Sequence, residues 1–490
     1  MRIPVYLLTI FCLSSTIRAA AIQPPNVLFI IADDASMHFG KANGCDWVHT
    51  PNIDRLASQG LVFDNVYTPT SKCAPSRAAI LMGRYPWQLE EAANHQPYFP
   101  AKYMAFTEAL TRRNIRCGGG GKRWGPGSAL LADGSPRDFA MKSIGPNLPA
   151  NPGAGLTAFL KERPADRPFF YWFGSSNPHR PYIPNAGLAA GKKLSDIDRV
   201  PAYWPDNDTI RGDMLDYATE VEAFDAQVGS LLAALDASGQ TNNTLVIVTS
   251  DHGMPFPRVK GHTFDDAHHI PFVACWPDGT LNPGRRVSEF INFIDLAPTF
   301  LELFGVDGPA EGMAPITGHS FTDLLRDKPS ILRSFVIMGR ERNDVLARPG
   351  SEHGLGYPVR AIREGSFLFV RNFESDRWPC GNPDLGLKDT DASPTKSFLE
   401  EAGDSSPSWQ HAFGKRPAEQ LFDLTTDPDC VVNLASEAIY SEKVAAMNQT
   451  LTEELKRQDD PRIRGDGKVF DDYLSPRAIP KPTAPKRQAK

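Results

Sequence analysis

Three apolar runs, each followed by polar residues, constrain this chain more than any other feature. Asn26-Val-Leu-Phe-Ile-Ile-Ala32 runs into Asp33-Asp34, and Phe169-Phe-Tyr-Trp-Phe173 leads to Asn177-Pro178-His179. Leu245-Val-Ile-Val-Thr249 runs into Ser250-Asp251-His252-Gly253. Unbroken apolar runs of this length read as strands buried on both faces, which requires helices on either side of a mostly parallel sheet. Between the second and third runs, Val221, Phe224, Val228, Leu231, Leu232 and Leu235 share one helical face that ends at Gly239. Ligands of such sheets bind beyond the carboxyl ends of the strands. An Asp after a single strand is more often a turn or cap residue. Three such ends in one sheet would gather two acids, an Asp–His pair and a further His on one edge. An oxygen-rich set with one imidazole suits a hard divalent cation such as Ca²⁺ or Mg²⁺, whereas Zn²⁺ would usually take more nitrogen or sulfur ligands.

The remaining sequence bounds the setting of that edge. With 490 residues, 41% hydrophobic and 22% charged, the chain can build a large core and is neither disordered nor fibrous. Its 52 Lys and Arg against 58 Asp and Glu, without a long basic run, argue against nucleic acid as a partner. Arg2, the apolar stretch Val5–Leu13 and the small residues Ala19-Ala20-Ala21 read as a secretory signal spanning residues 1–21. That stretch is too short to span a bilayer, and no later one is apolar enough. The expectation is an exported protein, periplasmic or secreted, with no membrane attachment after cleavage. Six of the seven cysteines remain after cleavage. The sequence leaves their pairing open, and the oligomeric state with it.

After about Ser334 the texture changes. Tyr357–Glu364 and Phe367–Asn372, joined by Gly365-Ser366, predict an antiparallel hairpin. A loop rich in Pro, Gly and Asp runs from Trp378 to about Thr395, and Ser441–Gln458 reads as a surface helix. The expected division is a catalytic α/β domain over 22–345, a smaller α+β unit with an antiparallel sheet over 346–474, and a flexible basic, Pro-rich tail over 475–490.

Lys72-Cys73-Ala74-Pro75-Ser76-Arg77 adds a nucleophile. A helix is expected to start near Ser76, with Pro75 close to its beginning, where a missing N–H costs little. Cys73 then lies at a helix N-terminus that favours an anion, with the permanent cation of Arg77 nearby. Nucleophile, anion cradle and metal edge together form a site for oxyanion transfer. Lys122 follows Gly118–Gly121, either as a site lysine or as part of a flexible loop, and Lys260 is a further candidate. His262, His268 and His269 resemble a metal cluster, but the adjacent rings of His268 and His269 point apart in an extended segment, so all three are expected on the surface or pocket rim. Arg180 reads equally as a contact for an anionic substrate or as a structural ion pair.

The segment Cys73–Arg77 resembles the formylglycine signature of type I sulfatases. Other marks of that family occur in order: Pro25–Asp34, Thr50-Pro-Asn-Ile-Asp-Arg-Leu56, Gly121-Lys122, Pro178-His179 and Ser250-Asp-His-Gly253. Asn177-Pro-His-Arg-Pro-Tyr182, Gly253-Met-Pro-Phe-Pro257, Tyr357-Pro-Val-Arg360 and Glu419-Gln-Leu-Phe-Asp-Leu424 are similar to the sulfamidase-like branch, which acts on N-sulfoglucosamine. The resemblance implies an alkaline-phosphatase-like fold and a formylglycine made from Cys73 by a dedicated maturing enzyme. In the family, one hydroxyl of the aldehyde hydrate attacks sulfur and the other expels sulfate. It further implies Ca²⁺ on Asp33, Asp34, Asp251, His252 and modified Cys73, with Arg77 steadying the hydrate. Lys122 and Lys260 would grip the sulfate, and His179 would protonate the leaving atom. The implied substrate is a sulfated saccharide. The rivals are a phosphonate or phosphodiester hydrolase on the same scaffold and a sulfated-glycan-binding protein with unconverted Cys73.

Three positions depart from the family pattern. Arg123-Trp124 stands where many members carry a second His after the site lysine, His252 replaces an Asn common in the branch, and Asn343 replaces a His common in bacterial relatives.

Overall fold

Alternate residues of the first apolar run pack on opposite sides of one sheet. A computed structural model describes residues 24–144, 151–164, 167–330, 333–351 and 353–477. In β1 (Asn26–Ala32), Leu28 and Ile30 join one hydrophobic layer, while Val27, Phe29 and Ile31 join the other. Helices α2 (Pro152–Glu162) and α3 (Asp208–Ala237) cover the first side. The second side is covered by α1 (Cys73–Met82) and α4 (Leu296–Leu303). The result is a three-layer α/β/α arrangement, as continuous apolar strands require.

The other strands of this sheet are β2 (Leu61–Tyr67), β3 (Arg116–Gly121), β4 (Phe169–Gly174), β5 (Thr244–Ser250), β6 (Phe272–Cys275) and β7 (Arg286–Asn292). Their order is β3-β4-β1-β5-β6-β2-β7, and only β6 runs antiparallel to its neighbours. Ile31 of β1 lies level with Gly174 of β4 and Thr249 of β5, so the ends of the three apolar runs sit side by side.

Local chemistry moves some expected boundaries. Helix α1 begins at Cys73 rather than near Ser76, because the Ser76 amide already bonds the Lys72 carbonyl at 3.0 Å. Pro75 falls within the first turn, whose amides have no intrahelical partners to lose. Helix α3 begins well before the expected apolar face, where the Asn207 side chain accepts from the Ile210 amide at 3.1 Å. Gly118–Gly121 is no flexible loop but part of β3. A Cβ on Gly118 would stand 2.4 Å from the Phe159 ring, and one on Gly119 would stand 2.7 Å from the Trp172 carbonyl oxygen. Gly118→Ala is therefore expected to destabilise the protein by about 1–3 kcal/mol, read by urea unfolding.

A second sheet contains β8 (Phe335–Arg340), β9 (Val359–Glu364), β10 (Phe367–Asn372) and β11 (Glu419–Asp423), all antiparallel in that order. Its first strand precedes the division expected at 345, because Phe335–Arg340 pairs in register with Glu364–Val359. The hairpin forms as the pattern predicts, except that β9 begins after Pro358, which has no ladder donor to offer. Helix α5 (Ser441–Arg457) covers one face of this sheet through Val444, Met447, Leu451 and Leu455.

Cys45, Cys73, Cys117, Cys275, Cys380 and Cys430 are all buried and unpaired. No helix among the described residues is long and apolar enough to cross a membrane. The expected signal segment and tail residues 478–490 lie outside the described residues.

Candidate active site

The edge formed by β4, β1 and β5 collects the expected acids. Asp33 and Asp34 follow β1, while Asp251 and His252 follow β5, and all four are buried. Asp34 has a φ of 75°, a left-handed conformation that Asp tolerates better than most residues. Its amide donates to Asp251 Oδ1 at 3.0 Å, locking the two strand ends together. Arg77, wholly buried, donates from Nε to Asp251 at 2.8 Å and faces Asp33 at 3.4 Å. It also donates to the Lys122 carbonyl. The guanidinium is thus committed to the carboxylates and the adjoining backbone.

The chemistry of these groups fits a divalent cation. Asp33, Cys73 and Asp251 offer ligand atoms within 4.8 Å of one another, and so do Asp34, Cys73 and His252. Burial and the neighbouring charges of Asp251 and Asp34 push the Asp33 carboxyl up in spite of Lys122. His252 Nδ1 lies 3.0 Å from the Gly253 carbonyl, which can only accept, so Nδ1 carries a proton and Nε2 faces the acids. Nε2 is 3.1 Å from Asp34 and 3.3 Å from Cys73 Sγ. Although burial favours the neutral ring, Asp251 and Asp34 raise its pKa to about 9. A metal ion at this nitrogen would take the place of that proton.

Cys73 opens α1 beneath this edge. Burial and the Asp33 charge oppose its thiolate, yet Lys122, His252 and Lys260 hold the thiol well below its ordinary range. Lys122 Nζ grips Asp33 at 2.6 and 2.7 Å. Lys260 Nζ bonds Asp34 at 2.6 Å and faces Asp391 at 2.9 Å. Asp33, Cys73, Lys122, His179 and Lys260 all line a cavity of about 1100 Å³. His179 Nδ1 meets the Arg180 carbonyl, leaving Nε2 3.7 Å from Asp34, and its side chain is 37% exposed. All nine sequence-predicted residues therefore meet at one place, seven on the edge or cavity floor, His179 on the wall and Arg77 behind them.

Other expectations are corrected or resolved. His262 and His268 do not reach the rim. They are buried: His262 sits against Cys380 Sγ at 3.0 Å, and both ring nitrogens of His268 face backbone carbonyls. His269 stacks on Tyr67 and pairs with Asp265 at 3.2 Å. Arg180 forms the ion pair of its structural reading, donating to Asp213 at 2.8 Å and to the Pro255 carbonyl, and it also lines the cavity. Trp124, in place of the expected His, donates from Nε1 to the Ala74 carbonyl at 3.1 Å and braces the first turn of α1. Asn343 is buried against the Gly261 carbonyl and does not line the cavity.

Lys72, His95, Asp344 and Asp391 also line the cavity and were not singled out from the sequence. Each joins the site through contacts distant in sequence. Lys72, directly before Cys73, had one available clue in its position at the helix start.

The mostly parallel sheet, with buried acids and the cysteine that opens α1 at its carboxyl edge, has the alkaline-phosphatase-like fold, and the relatives that match it are hydrolases of sulfuric esters. The sulfatase family model matches residues 25–306, and the chain belongs to the sulfatase family. An ulvan-active sulfatase of Formosa agariphila is 27% identical over 455 residues, covering 90% of this chain and 82% of the relative. Human N-sulphoglucosamine sulphohydrolase is 26% identical over 505 residues, covering 94% and 95%. The solved structure of BT4656 in complex with D-glucosamine-2-N,6-O-disulfate shares the fold, with a TM-score of 0.63 at 19% identity, covering 89% of this chain and 99% of its own.

Proposed function

We propose that this protein hydrolyses sulfate ester or sulfamate groups of sulfated saccharides, using a formylglycine made from Cys73 and a Ca²⁺ ion held by Asp33, Asp34, Asp251 and His252. The observation that carries the proposal is Cys73 at the start of α1, lining the cavity with Sγ 3.3 Å from His252 and 3.8 Å from Asp34. Relatives named for ulvan and N-sulphoglucosamine support a saccharide substrate. The modified side chain would supply the attacking hydroxyl, and the ion would draw charge from the sulfate oxygens.

The chain's own residues do the rest. Lys122 and Lys260 present ammonium groups at the cavity floor, where a sulfate would gain most from fixed positive charge. Arg77 keeps Asp251 and Asp33 in place, and Trp124 fixes the first turn of α1. His179, held through Nδ1, offers Nε2 to the departing oxygen or nitrogen. His179→Ala is expected to lower kcat on sugar sulfates by about 10²-fold, and much less on an activated aryl sulfate whose leaving group needs no proton. The leader-like start supports export to the periplasm or the medium, where the protein would arrive after meeting its maturing enzyme.

The test uses protein coexpressed with a maturing enzyme, in which conversion removes about 18 Da from the Cys73 peptide. Sulfate release is then measured on N- and O-sulfated saccharides beside a phosphonate monoester and a phosphodiester. Preference for either phosphorus ester would overturn the proposal, as would a converted protein that binds the saccharides without turnover.

A further inference from the structure

Two cations on the cavity rim have no acid to hold among the described residues. The other lining cations are committed: Lys122 to Asp33, Lys260 to Asp34 and Asp391, Arg180 to Asp213, and Lys72 to the Asp389 carbonyl at 3.4 Å with Asp344 at 3.9 Å. Lys388 and Arg477 line the same cavity and are exposed, and neither side chain forms an ion pair or hydrogen bond with any described residue. Arg477 is placed there by a buried tether, Ser475 Oγ donating to the Gln96 carbonyl at 2.8 Å. Next to that tether stands His95, another lining residue. It is only 7% exposed; its Nδ1 faces the Asp344 carboxylate at 3.8 Å, and its Nε2 has no hydrogen-bond partner among the described residues. A buried ring nitrogen left without a partner on a cavity wall is unfavourable unless a ligand supplies one. The cavity itself, at about 1100 Å³, lies at the upper end of pockets that take drug-sized ligands, leaving room beyond a single sugar ring.

We infer that the substrate carries a second acidic group, a sulfate or carboxylate on the same or the adjoining sugar, which Lys388 and Arg477 receive while His95 bonds a sugar hydroxyl. This rests on the sulfatase reading above and narrows its substrate class to polyanionic saccharides. Because both cations are exposed, their attraction is screened by salt and acts on binding rather than on the chemical step.

The experiment compares matured wild-type protein with the Lys388→Ala/Arg477→Ala double variant. One substrate is a singly sulfated monosaccharide, and the other is an oligosaccharide with the same scissile sulfate and further acidic groups. The double variant is expected to raise KM for the oligosaccharide about 10-fold at low salt, leave kcat unchanged and spare the monosaccharide. Equal changes on both substrates, or no change on either, would overturn the inference. A parallel titration calorimetry experiment measures oligosaccharide binding to Cys73→Ala protein with and without the rim substitutions. Weaker binding without the rim cations supports the inference even if no sulfate is released from anything, an outcome that sinks the sulfatase reading alone. Unchanged binding sinks the rim whatever the turnover.

Discussion

Cys73→Ala is expected to abolish sulfate release, lowering kcat by at least about 10⁴-fold, as loss of a nucleophile does elsewhere. The size of the effect follows from the geometry. Cys73 stands where the helix N-terminus, Lys122, Lys260 and the acidic edge converge, and among the described residues no other thiol lines the cavity. The substitution removes one sulfur atom from a buried position that an alanine also fits, so unfolding should change by only about 1 kcal/mol. Steady-state sulfate release and urea unfolding on the same preparation check both halves. Full turnover by the alanine variant would exclude Cys73 as the reacting side chain.

Chelation should have the next largest effect. EDTA is expected to reduce turnover by more than about 10²-fold, with Ca²⁺ restoring it better than Mg²⁺. It should also lower the melting temperature, because an ion bound only by the folded state at 100 times its Kd stabilises that state by about 2.7 kcal/mol. The physical reason lies in the crowding of Asp33, Asp34 and Asp251 in a buried site, where burial and mutual repulsion push Asp33 up even with Lys122 against it. Asp251→Asn should abolish the Ca²⁺-dependent rise in melting temperature while leaving the chelated protein folded. A melting curve and turnover indifferent to EDTA would remove the metal from the mechanism.

Much of this site was legible because strand ends and helix starts write themselves locally. Asp33-Asp34 and Asp251-His252 follow unbroken apolar runs, and parallel pairing of those runs leaves the acids nowhere to go but one edge. Cys73–Arg77 carried its own helix-start signal in Pro75. Lys260 was different, since it lies in an irregular segment where only family resemblance singled it out. Asp391, Asp344 and His95 were illegible because their roles arise from long-range packing: Asp391 matters through its contact with Lys260, from a loop whose composition says only that it turns. The error over His262 and His268 has a similar origin. Adjacent imidazoles that point apart read as rim groups, yet both nitrogens of His268 face backbone carbonyls that no local pattern reveals. The second sheet began early because Phe335–Arg340 finds its partner across a long loop.

The six buried thiols differ in a way that offers a practical handle. Burial pushes Cys45 and Cys117 up to about 12 and raises Cys275, Cys380 and Cys430, whereas Cys73 alone is held low and opens onto the cavity. An alkylating reagent applied to the native protein should therefore label one residue and ignore five. Under the proposed conversion of Cys73 to an aldehyde, which cannot be alkylated in this way, the labelled fraction would count the molecules left unconverted, giving each preparation a stoichiometric measure of its own competence.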